Sequence, residues 1–482
     1  MNIRQISKIT GTTMLAVGIF MILPLIVAFI YKEPEGIWFV PITAFLLAVG
    51  IPLARIRTDV KEIYAKDAYI TVALSWILIS LFGCLPFYFS GEIKGFINCF
   101  FEIVSGFTTT GSTILTGDEI ENMSKCMLFW RSFSNWAGGM GVLVFILAFA
   151  PGNGANTLHL LRAESTGPSV NKIASKMKNT ASILYIIYTL MTIITAVLLL
   201  AGGMPVFDSI TTAFATAGTG GFSIKAASLG AYNSYYLQGV ITVMMILFGV
   251  NFSLYYFLIL GDIKSFFKNE ELRGYFLVIA ASIALITLNI RGAFPSLFDA
   301  FHHAAFQVST IITTCGFATV DFNLWPTFSK TILVFLMFCG ACGGGTGGGF
   351  KISRIIILLK SVRKELYTLV HPRGVKIMMM DGKKIEHETV RRTNVYLVSY
   401  LLILIVSVFV VSLDNISFEG AFTSVLGTLN NIGPGLAEVG PNANFGFLSP
   451  LSKFVMILDM LIGRLEIFPM LILMSPLTWL KK

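Results

Sequence analysis

Residues Thr108–Thr113 read Thr-Thr-Thr-Gly-Ser-Thr and lie between an apolar segment, Phe96–Phe107, and an acidic patch, Asp118–Glu121. Three other places have the same order: a short apolar segment, a glycine in a polar setting, a loop and a long apolar helix. These copies are Ala-Gly-Thr-Gly-Gly-Phe-Ser at 217–223, Thr-Thr-Cys-Gly-Phe-Ala at 313–318 and Asn-Asn-Ile-Gly-Pro-Gly at 430–435. We interpret the chain as four copies of one hairpin around a shared axis, which the four glycines face. The glycines are Gly111, Gly221, Gly316 and Gly433.

Alignment of these four glycines supports the repeat. The residues 15 and 11 positions upstream of each glycine are apolar in every copy. They are Phe96, Val206, Phe301 and Phe418, and Phe100, Ile210, Ala305 and Phe422. The glycines are 110, 95 and 117 residues apart, which leaves room for a helix, a short segment and another helix each time. The first two apolar segments of the chain stand outside this pattern.

Composition indicates a polytopic membrane protein. Of the 482 residues 55% are apolar and 13% are charged, whereas a soluble domain usually carries about 25% charged residues. The net charge of +9 is compatible with a nucleic-acid partner, but the basic residues lie in short loops between apolar segments, which is typical of membrane topology. The basic start, Met1–Lys8, precedes an apolar run at 12–31 that is long for a signal peptide and has no clear cleavage site, which favours a retained helix.

We predict an all-α protein with ten spanning helices, because ten apolar segments approach the roughly 20 residues that a bilayer requires. Their approximate bounds are 11–31, 37–55, 69–90, 127–149, 180–202, 236–260, 274–291, 328–358, 393–413 and 451–475. Four shorter apolar segments lead into the glycine motifs and are predicted to be re-entrant helices. They are 96–108, 206–217, 297–313 and 417–430. The predicted divisions are two N-terminal helices at 1–66 and four pore repeats at 67–178, 179–270, 271–390 and 391–482.

The distribution of lysine and arginine predicts the orientation. Of the 35 basic residues, 26 fall on the side of the N-terminus, 11 of them between Lys351 and Arg392. The acidic patch Asp118–Glu121 lies on the other side. Cytoplasmic loops are enriched in lysine and arginine, so we expect both termini and the 359–392 loop in the cytoplasm and the glycine motifs on the outer side.

Four re-entrant loops that converge on one axis predict a ring of backbone carbonyls. Non-helical backbone at membrane depth is tolerated only where it lines water or is buried in protein, and carbonyl rings replace the hydration shell of a monovalent cation. Glycine permits positive φ, and each short helix points its partially negative C-terminus at the pore. The alternative is that the glycines are ordinary turns or packing contacts. The predicted cation-binding residues are Thr109, Thr110, Gly111, Thr219, Gly220, Gly221, Thr314, Cys315, Gly316, Asn431, Ile432 and Gly433.

A second unusual stretch is Gly340–Gly349, in which seven of ten residues are glycine inside the eighth predicted span. A helix is unstable through such a run, and a broken helix at membrane depth implies a cavity beside it. We interpret it as a flexible intramembrane loop on the cytoplasmic side of the ring, a candidate gate. A glycine-packed helix contact is the alternative, and a phosphate-binding loop is disfavoured because Lys351 is not followed by Ser or Thr. The predicted gate residues are Gly343, Gly344, Gly345, Thr346, Gly347, Gly348, Gly349 and Arg464.

Arg464 lies within the last predicted span, where a charge is costly and indicates function. If it faces the axis below the ring, it is a barrier to cations; the alternative is a packing charge paired with Asp459 or Glu466. Arg131 lies at the outer end of its predicted helix, and we expect its side chain to extend to the membrane surface.

Two further patterns are weak. Cys339-x-x-Cys342 matches a redox pair, but it lies in a glycine run within an apolar helix. His302 and His303 are adjacent and cannot both face one ligand from a helix, which favours a packing or rim role. No serine or cysteine has a visible histidine and acid partner for nucleophilic catalysis, so we do not expect an enzyme, and no bound cofactor is indicated.

Together these motifs resemble the Trk/Ktr/HKT superfamily of potassium transporters, most closely the Trk-type membrane subunits, over essentially the whole chain. The motifs that carry the resemblance are TTTGST at 108–113, GTGGFS at 218–223, TTCGFAT at 313–319, NNIGPGL at 430–436, CGGGTGGGFK at 342–351 and GRLEI at 463–467. The two additional N-terminal helices separate the chain from Ktr-type subunits.

The resemblance implies more than the residues themselves show. In this superfamily serine at the first filter glycine accompanies sodium preference in some plant members, so Gly111 points to potassium. Trk subunits form homodimers with one pore per protomer in the bacterial inner membrane. They assemble with a cytoplasmic ring of TrkA-like, RCK-type regulatory subunits that bind NAD or adenine nucleotides. The resemblance also makes the loop at 343–349 and Arg464 the gate and barrier below the filter.

Two other functions remain open. A cation-coupled secondary symporter has inverted repeats and broken helices with sites at the midplane, whereas the four repeats here all begin on the cytoplasmic side, which favours a pore. An intramembrane enzyme needs a catalytic set within the spans, and the sequence shows none.

Overall fold

The computed structural model describes residues 2–56, 64–141 and 177–479, and this part of the chain is mostly helical. Its N-terminal part forms a closely packed pair of helices joined by a 3-10 turn. A Cβ on Gly11 would lie only 2.4 Å from Leu53 Cβ, so the first and third helices touch through their backbones. The elements are α1 Ile3–Phe20, α2 Ile22–Tyr31, the 3-10 helix Pro34–Trp38 and α3 Phe39–Ala54.

The first and second glycine motifs each lie between helices. Side-chain caps begin several of these helices, as where Thr116 and Glu119 form a reciprocal capping box. Around the first motif are α4 Ala65–Ser90, α5 Phe96–Phe107, α6 Gly117–Asn122 and α7 Lys125–Gly139. Around the second are α8 Met177–Ala201, α9 Val206–Gly218, the 3-10 helix Ser228–Ala231, α10 Tyr235–Phe248, α11 Phe252–Ile259 and α12 Ile263–Lys268.

The third and fourth motifs follow the same order, and a two-residue antiparallel hairpin joins these two parts of the chain. Around the third motif are α13 Glu270–Ile290, the 3-10 helices Arg291–Ala293 and Phe322–Leu324, α14 Leu297–Ile312, α15 Thr327–Cys339 and α16 Ile352–Val370, followed by β1 Met379–Met380 and β2 Lys383–Lys384. Around the fourth are α17 His387–Val411, the 3-10 helices Ser412–Asp414 and Ala437–Val439, α18 Phe418–Leu429, α19 Pro450–Arg464, α20 Phe468–Met474 and α21 Pro476–Trp479.

The four predicted re-entrant segments are helices of 12, 13, 16 and 12 residues, namely α5, α9, α14 and α18. They are too short to cross a bilayer. Each packs against the long helix before it and the helix after it: α5 between α4 and α7, α9 between α8 and α10, α14 between α13 and α15, and α18 between α17 and α19. Each also packs against one helix of the preceding motif: α5 against α19, α9 against α7, α14 against α10 and α18 against α15. These contacts close a circle.

Within the described residues, six helices are long and apolar enough to cross a membrane, or seven if the bent pair α10 and α11 is one span. The prediction of ten spans stays a prediction. The segment predicted at 127–149 continues beyond residue 141, outside the described residues, and the segments at 328–358 and 451–475 each consist of shorter helices.

Three predicted spans differ from straight helices. The segment 236–260 bends by 90° between α10 and α11, because Gly249 ends one helix and the Asn251 side chain caps the next. The last span is broken after Arg464, where Glu466 and Ile467 have φ of 58° and 68°. The predicted break at Gly340–Gly349 is confirmed. The helix α16 then continues to Val370, beyond the predicted end of the span at residue 358, because no glycine or proline interrupts the chain between Ile352 and His371.

Candidate functional site

The four short helices end in the same hydrogen-bonded turn. In each, the N–H of the residue just before the loop glycine donates to the carbonyl of the residue five positions before its own. The N–H of the residue two positions before the glycine donates to the carbonyl three positions before its own, as Thr109 N does to Gly106 O. The longer bonds are Thr110 N to Ser105 O at 2.8 Å, Gly220 N to Ala215 O at 2.9 Å, Cys315 N to Thr310 O at 2.8 Å and Ile432 N to Gly427 O at 2.8 Å. This is a Schellman cap, which satisfies the last carbonyls of a helix and requires a left-handed residue.

That left-handed residue lies two positions before each glycine. Thr109, Thr219, Thr314 and Asn431 have φ of 56°, 51°, 59° and 55°. The glycines that follow, Gly111, Gly221, Gly316 and Gly433, also have positive φ, at 78°, 65°, 89° and 100°. The same non-helical backbone therefore recurs in all four glycine loops, by which we mean residues 108–113, 218–223, 313–318 and 430–435.

The glycine loops touch one another in a closed order. A Cβ on Gly111 would lie 2.1 Å from Gly220 O, and one on Gly221 would lie 1.9 Å from Cys315 O. The series continues with Gly316 at 2.3 Å from Ile432 O and closes with Gly433 at 2.8 Å from Thr110 O. Each glycine thus faces the carbonyl oxygen of the residue before the glycine in the next loop, and no side chain fits between them.

Side chains of the fourth and first loops join where the circle closes. The Asn431 amide donates to Thr110 Oγ1 and to Met460 O, both at 2.9 Å. The Ser112 hydroxyl donates to Gly433 O at 3.1 Å. On the side of the loops that the post-glycine residues face, a cavity of about 90 Å³ is bordered by Gly111, Gly221 and Gly316.

The glycine-rich segment Gly340–Gly349 lies against the opposite side of the loops. Gly348 N donates to Thr314 Oγ1 at 2.6 Å, and Thr219 Oγ1 donates to Thr346 Oγ1 at 3.3 Å. A Cβ on Gly348 would lie 2.3 Å from Asn430 O. The segment therefore passes directly beneath the second, third and fourth loops.

Polar groups of other helices hold this segment in place. The Glu271 carboxylate accepts from Gly343 N at 2.7 Å and from Ser353 N at 3.1 Å, and so links the segment to the start of α16. Thr346 bonds to Phe248 O through both its N–H, at 3.3 Å, and its hydroxyl, at 3.2 Å. The buried Lys351 ammonium donates to Gly347 O.

Arg464, at the end of α19, binds the same assembly. Its guanidinium donates to Thr346 O at 3.1 Å and to Gly139 O at 2.7 Å, and also to Gly138 O. It reaches Thr109 Oγ1 at 3.5 Å, so its charge lies just beneath the first glycine loop. The arginine is 7% exposed.

The chain is similar to known proteins over almost its whole length. A family model described as a TrkH cation transport protein matches residues 38–479. The chain belongs to the TrkH family. It is similar to the Trk system potassium uptake protein TrkH of Salmonella typhimurium, at 35% identity over 99% of this chain and 100% of the relative. It is also similar to the Trk system potassium uptake protein TrkG of Escherichia coli, at 31% identity over 99% of each chain. The crystal structure of the potassium transporter TrkH from Vibrio parahaemolyticus aligns with a TM-score of 0.90 at 32% identity, covering 100% of both chains.

Membership of the TrkH family, with several apolar helices long enough to cross a bilayer, makes the chain a multi-pass membrane protein. The residues predicted from the four motifs, the glycine-rich segment and Arg464 lie in one connected assembly. Gly343 is at its edge, where it binds Glu271 rather than a glycine loop.

Two charged residues of this assembly were not predicted from the sequence as site residues. Glu271, at the start of α13, and Lys351, before α16, are both buried and both bind the backbone of the glycine-rich segment. The position of Lys351, two residues after Gly349, is a signal that could have found it. The partners suggested for Arg464 have other contacts: Glu466 pairs with Arg354, and Asp459 accepts from Ser407 Oγ at 2.8 Å.

The expectation that Arg131 extends to the membrane surface is wrong. Its side chain is 2% exposed, and its Nε lies 2.6 Å from Oε1 of Glu102, which is fully buried. The guanidinium also lies over the Phe222 ring, 3.7 Å from its centroid. A buried carboxylate and an aromatic face hold the charge inside the protein.

The cysteine pair and the two adjacent histidines are placed as follows. Cys339 and Cys342 are buried free thiols. His302 Nε2 lies 2.8 Å from Gln238 Oε1, and His303 Nδ1 lies 3.0 Å from Thr319 Oγ1. Among the described residues no group of three or more His, Cys, Asp or Glu side chains could hold a metal ion.

Proposed function

We propose that this chain takes up potassium across the bacterial inner membrane through a gated, channel-like pore. The filter consists of the carbonyl oxygens of Thr110, Gly220, Cys315 and Ile432 with the residues around them. The observation that carries this proposal is the closed series in which each loop glycine faces the carbonyl of the next loop. Carbonyl oxygens in a ring replace the water that a monovalent cation loses on entry.

Potassium is proposed as the ion on two grounds. Relatives over the full chain length are named potassium uptake proteins. The first loop also has glycine at position 111, where serine accompanies sodium preference in some plant members of the superfamily. The driving force would be the membrane potential, worth about 2.3 kcal/mol per charge per 100 mV. Gating would be by the glycine-rich segment, with Arg464 as an electrostatic barrier beneath the ring.

The proposed architecture has ten spans, with two N-terminal helices followed by four pseudosymmetric repeats and with both termini in the cytoplasm. The circular packing of α5, α9, α14 and α18 supports the repeats. By family resemblance, the proposal extends to a homodimer with a pore in each protomer. It also extends to a cytoplasmic ring of TrkA-like, RCK-type subunits that would bind NAD or ATP/ADP. A cation-coupled symporter is the alternative.

The test is rubidium-86 uptake by proteoliposomes that hold the purified chain, with competition by potassium, sodium and choline. We compare it with Gly111→Ser, whose Cβ would meet Gly220 O at 2.1 Å, and with Gly239→Ser as a control in open space within α10. We expect flux that potassium blocks and sodium does not, and relaxed selectivity in Gly111→Ser alone. Where the chain alone is closed, the assay is repeated with the regulatory ring and nucleotide.

Potassium-insensitive flux, or unchanged selectivity in Gly111→Ser, would show that the filter proposal is wrong. Uptake that stops without a sodium or proton gradient, at constant membrane potential, would favour the symporter instead.

A further inference from the structure

Two charged residues outside the predicted site lie behind the first and second glycine loops. Glu102 is on α5, nine residues before Gly111, and Arg131 is on α7, twenty residues after it. Both are almost completely buried. Burying a charge is costly unless it is paired and hydrogen-bonded, and the contacts of this pair show what it is bonded to.

Glu102 binds the part of the first loop that follows Gly111. Its carboxylate accepts from the Thr113 hydroxyl at 2.9 and 3.1 Å and from Ile114 N at 3.0 Å. Thr113 and Ile114 are the second and third residues after Gly111, so the carboxylate fixes the backbone immediately beyond the proposed filter.

Arg131 connects this carboxylate to the second loop. Its Nε donates to Glu102 Oε1 at 2.6 Å, and its Nη1 donates to Ser223 O at 2.7 Å. Its guanidinium stacks on Phe222, which follows Gly221 directly. One arginine therefore reaches the carboxylate of the first loop and the two residues that follow the glycine of the second loop.

The other loops lack this arrangement at the aligned sequence positions. Nine residues before Gly221, Gly316 and Gly433 stand Thr212, Gln307 and Ser424, none of which is charged. The bond is thus specific to the junction of the first and second loops, where a Cβ on Gly111 would collide with Gly220 O.

We propose that Glu102 and Arg131 are positioning residues that fix the first loop against the second and thereby set ion selectivity. This inference rests on the proposed function. The physical reason is that a carbonyl ring discriminates between cations by the positions and number of its oxygens. If the bonds of Glu102 and Arg131 to the two loops are lost, the Thr110 and Gly220 carbonyls are free to approach a smaller ion such as sodium.

The experiment compares three variants by rubidium-86 uptake and by amide hydrogen exchange. Glu102→Gln removes the charge and keeps the shape, and Thr113→Val removes one hydroxyl donor without leaving a buried charge unpaired. Glu419→Gln is the matched control, because Glu419 forms the exposed pair with Lys330 at 3.3 Å, away from the first two loops.

We expect Glu102→Gln to lower the potassium-over-sodium competition ratio severalfold and to speed amide exchange at Ile114, with Thr113→Val intermediate and the control unchanged. A pair with only a structural role would lower the unfolding temperature and the yield but leave the competition ratio as in the wild type. That result in both variants would overturn this inference alone. A wild-type chain with unselective flux would instead overturn the proposed function.

Discussion

At the residue scale, three threonines in left-handed conformations connect the glycine loops to the structure beneath them. A β-branched residue at positive φ is a genuine outlier, and such strain costs on the order of 1–3 kcal/mol per residue. Thr314 accepts from Gly348 N, Thr219 donates to Thr346, and Thr109 lies within reach of Arg464. The strained residues are therefore those whose hydroxyls meet the glycine-rich segment and the arginine.

Arg464→Ala should raise rubidium-86 flux through the chain measured without its regulatory ring. The guanidinium lies 3.5 Å from Thr109 Oγ1, and a unit charge about 4 Å from a cation costs about 4 kcal/mol at an effective dielectric constant near 20. Even one third of that free energy corresponds to an increase of about tenfold. Arg464→Lys keeps the charge and should leave flux within about twofold to threefold of the wild type.

Equal flux in Arg464→Ala and the wild type would contradict a barrier at this position. An equal rise in the alanine and lysine variants would instead assign the effect to lost hydrogen bonds with Gly138, Gly139 and Thr346 rather than to charge.

At the element scale, side-chain hydrogen bonds hold the glycine-rich segment in place, and the Thr346 hydroxyl makes two of them. Thr346→Val keeps the side-chain shape and removes both. A net hydrogen bond is worth about 1 kcal/mol, so the loss of two should raise the population of displaced segments, and with it the flux, by a factor of about thirty. Potassium-over-sodium competition should not change, because the carbonyl ring is intact.

The control for Thr346→Val is Thr71→Val in α4, where the hydroxyl bonds to Asp67 O at 2.6 Å within one helix. Flux in Thr346→Val that stays at the wild-type level, or that falls together with selectivity, would show that Thr346 does not hold a gate.

The sequence predicts the short elements better than the long ones. Each short helix is recognisable because an apolar run of about three turns is followed within a few residues by the loop glycine, and the Schellman caps confirm where the helices end. The 90° bend between α10 and α11 was missed, because Phe248, Val250 and Phe252 continue the apolar pattern across Gly249. The apolar pattern of a segment indicates which residues are buried, but it does not indicate whether the helix axis changes direction.

Pairs of charges were harder to predict than backbone motifs. Glu102 and Arg131 are 29 residues apart on different helices, and the sequence around neither residue indicates that the two form a pair. Arg131 looked like a surface residue because of its place near a helix start, yet tertiary packing gave it a carboxylate, a carbonyl and an aromatic ring.

At the scale of the whole molecule, the contacts between elements are cyclic. Each short helix packs on its own two neighbours and on a helix of the preceding motif, and α5 closes the circle through α19. The N-terminal helices attach to this circle at the start of α7, where the Glu33 carboxylate accepts from Lys125 N and Cys126 N, both at 2.8 Å. A carboxylate at a helix N-terminus is favourable, so Glu33 stabilises the start of α7 and joins the N-terminal helices to the outside of the circle.

The circular arrangement makes the predicted orientation testable from two surface positions. Asp118 is exposed near the cavity bordered by the glycine loops, and Arg373 is exposed after α16, beyond the glycine-rich segment. If lysine and arginine mark the cytoplasmic side, these residues lie on opposite sides of the membrane. The six cysteines of the chain are buried, so a new exposed thiol should dominate labelling.

In right-side-out vesicles a membrane-impermeant maleimide should therefore label Asp118→Cys at once and Arg373→Cys only after permeabilisation, with the unsubstituted chain as the background control. The reverse order would place the glycine-rich segment on the outer side of the ring, and the proposed gate would then lie out of reach of any cytoplasmic regulatory subunit. Labelling of both positions without permeabilisation would put Asp118 and Arg373 on one side of the membrane. The five predicted spans between them do not allow this, because an odd number of crossings ends on the opposite side; they are 127–149, 180–202, 236–260, 274–291 and 328–358.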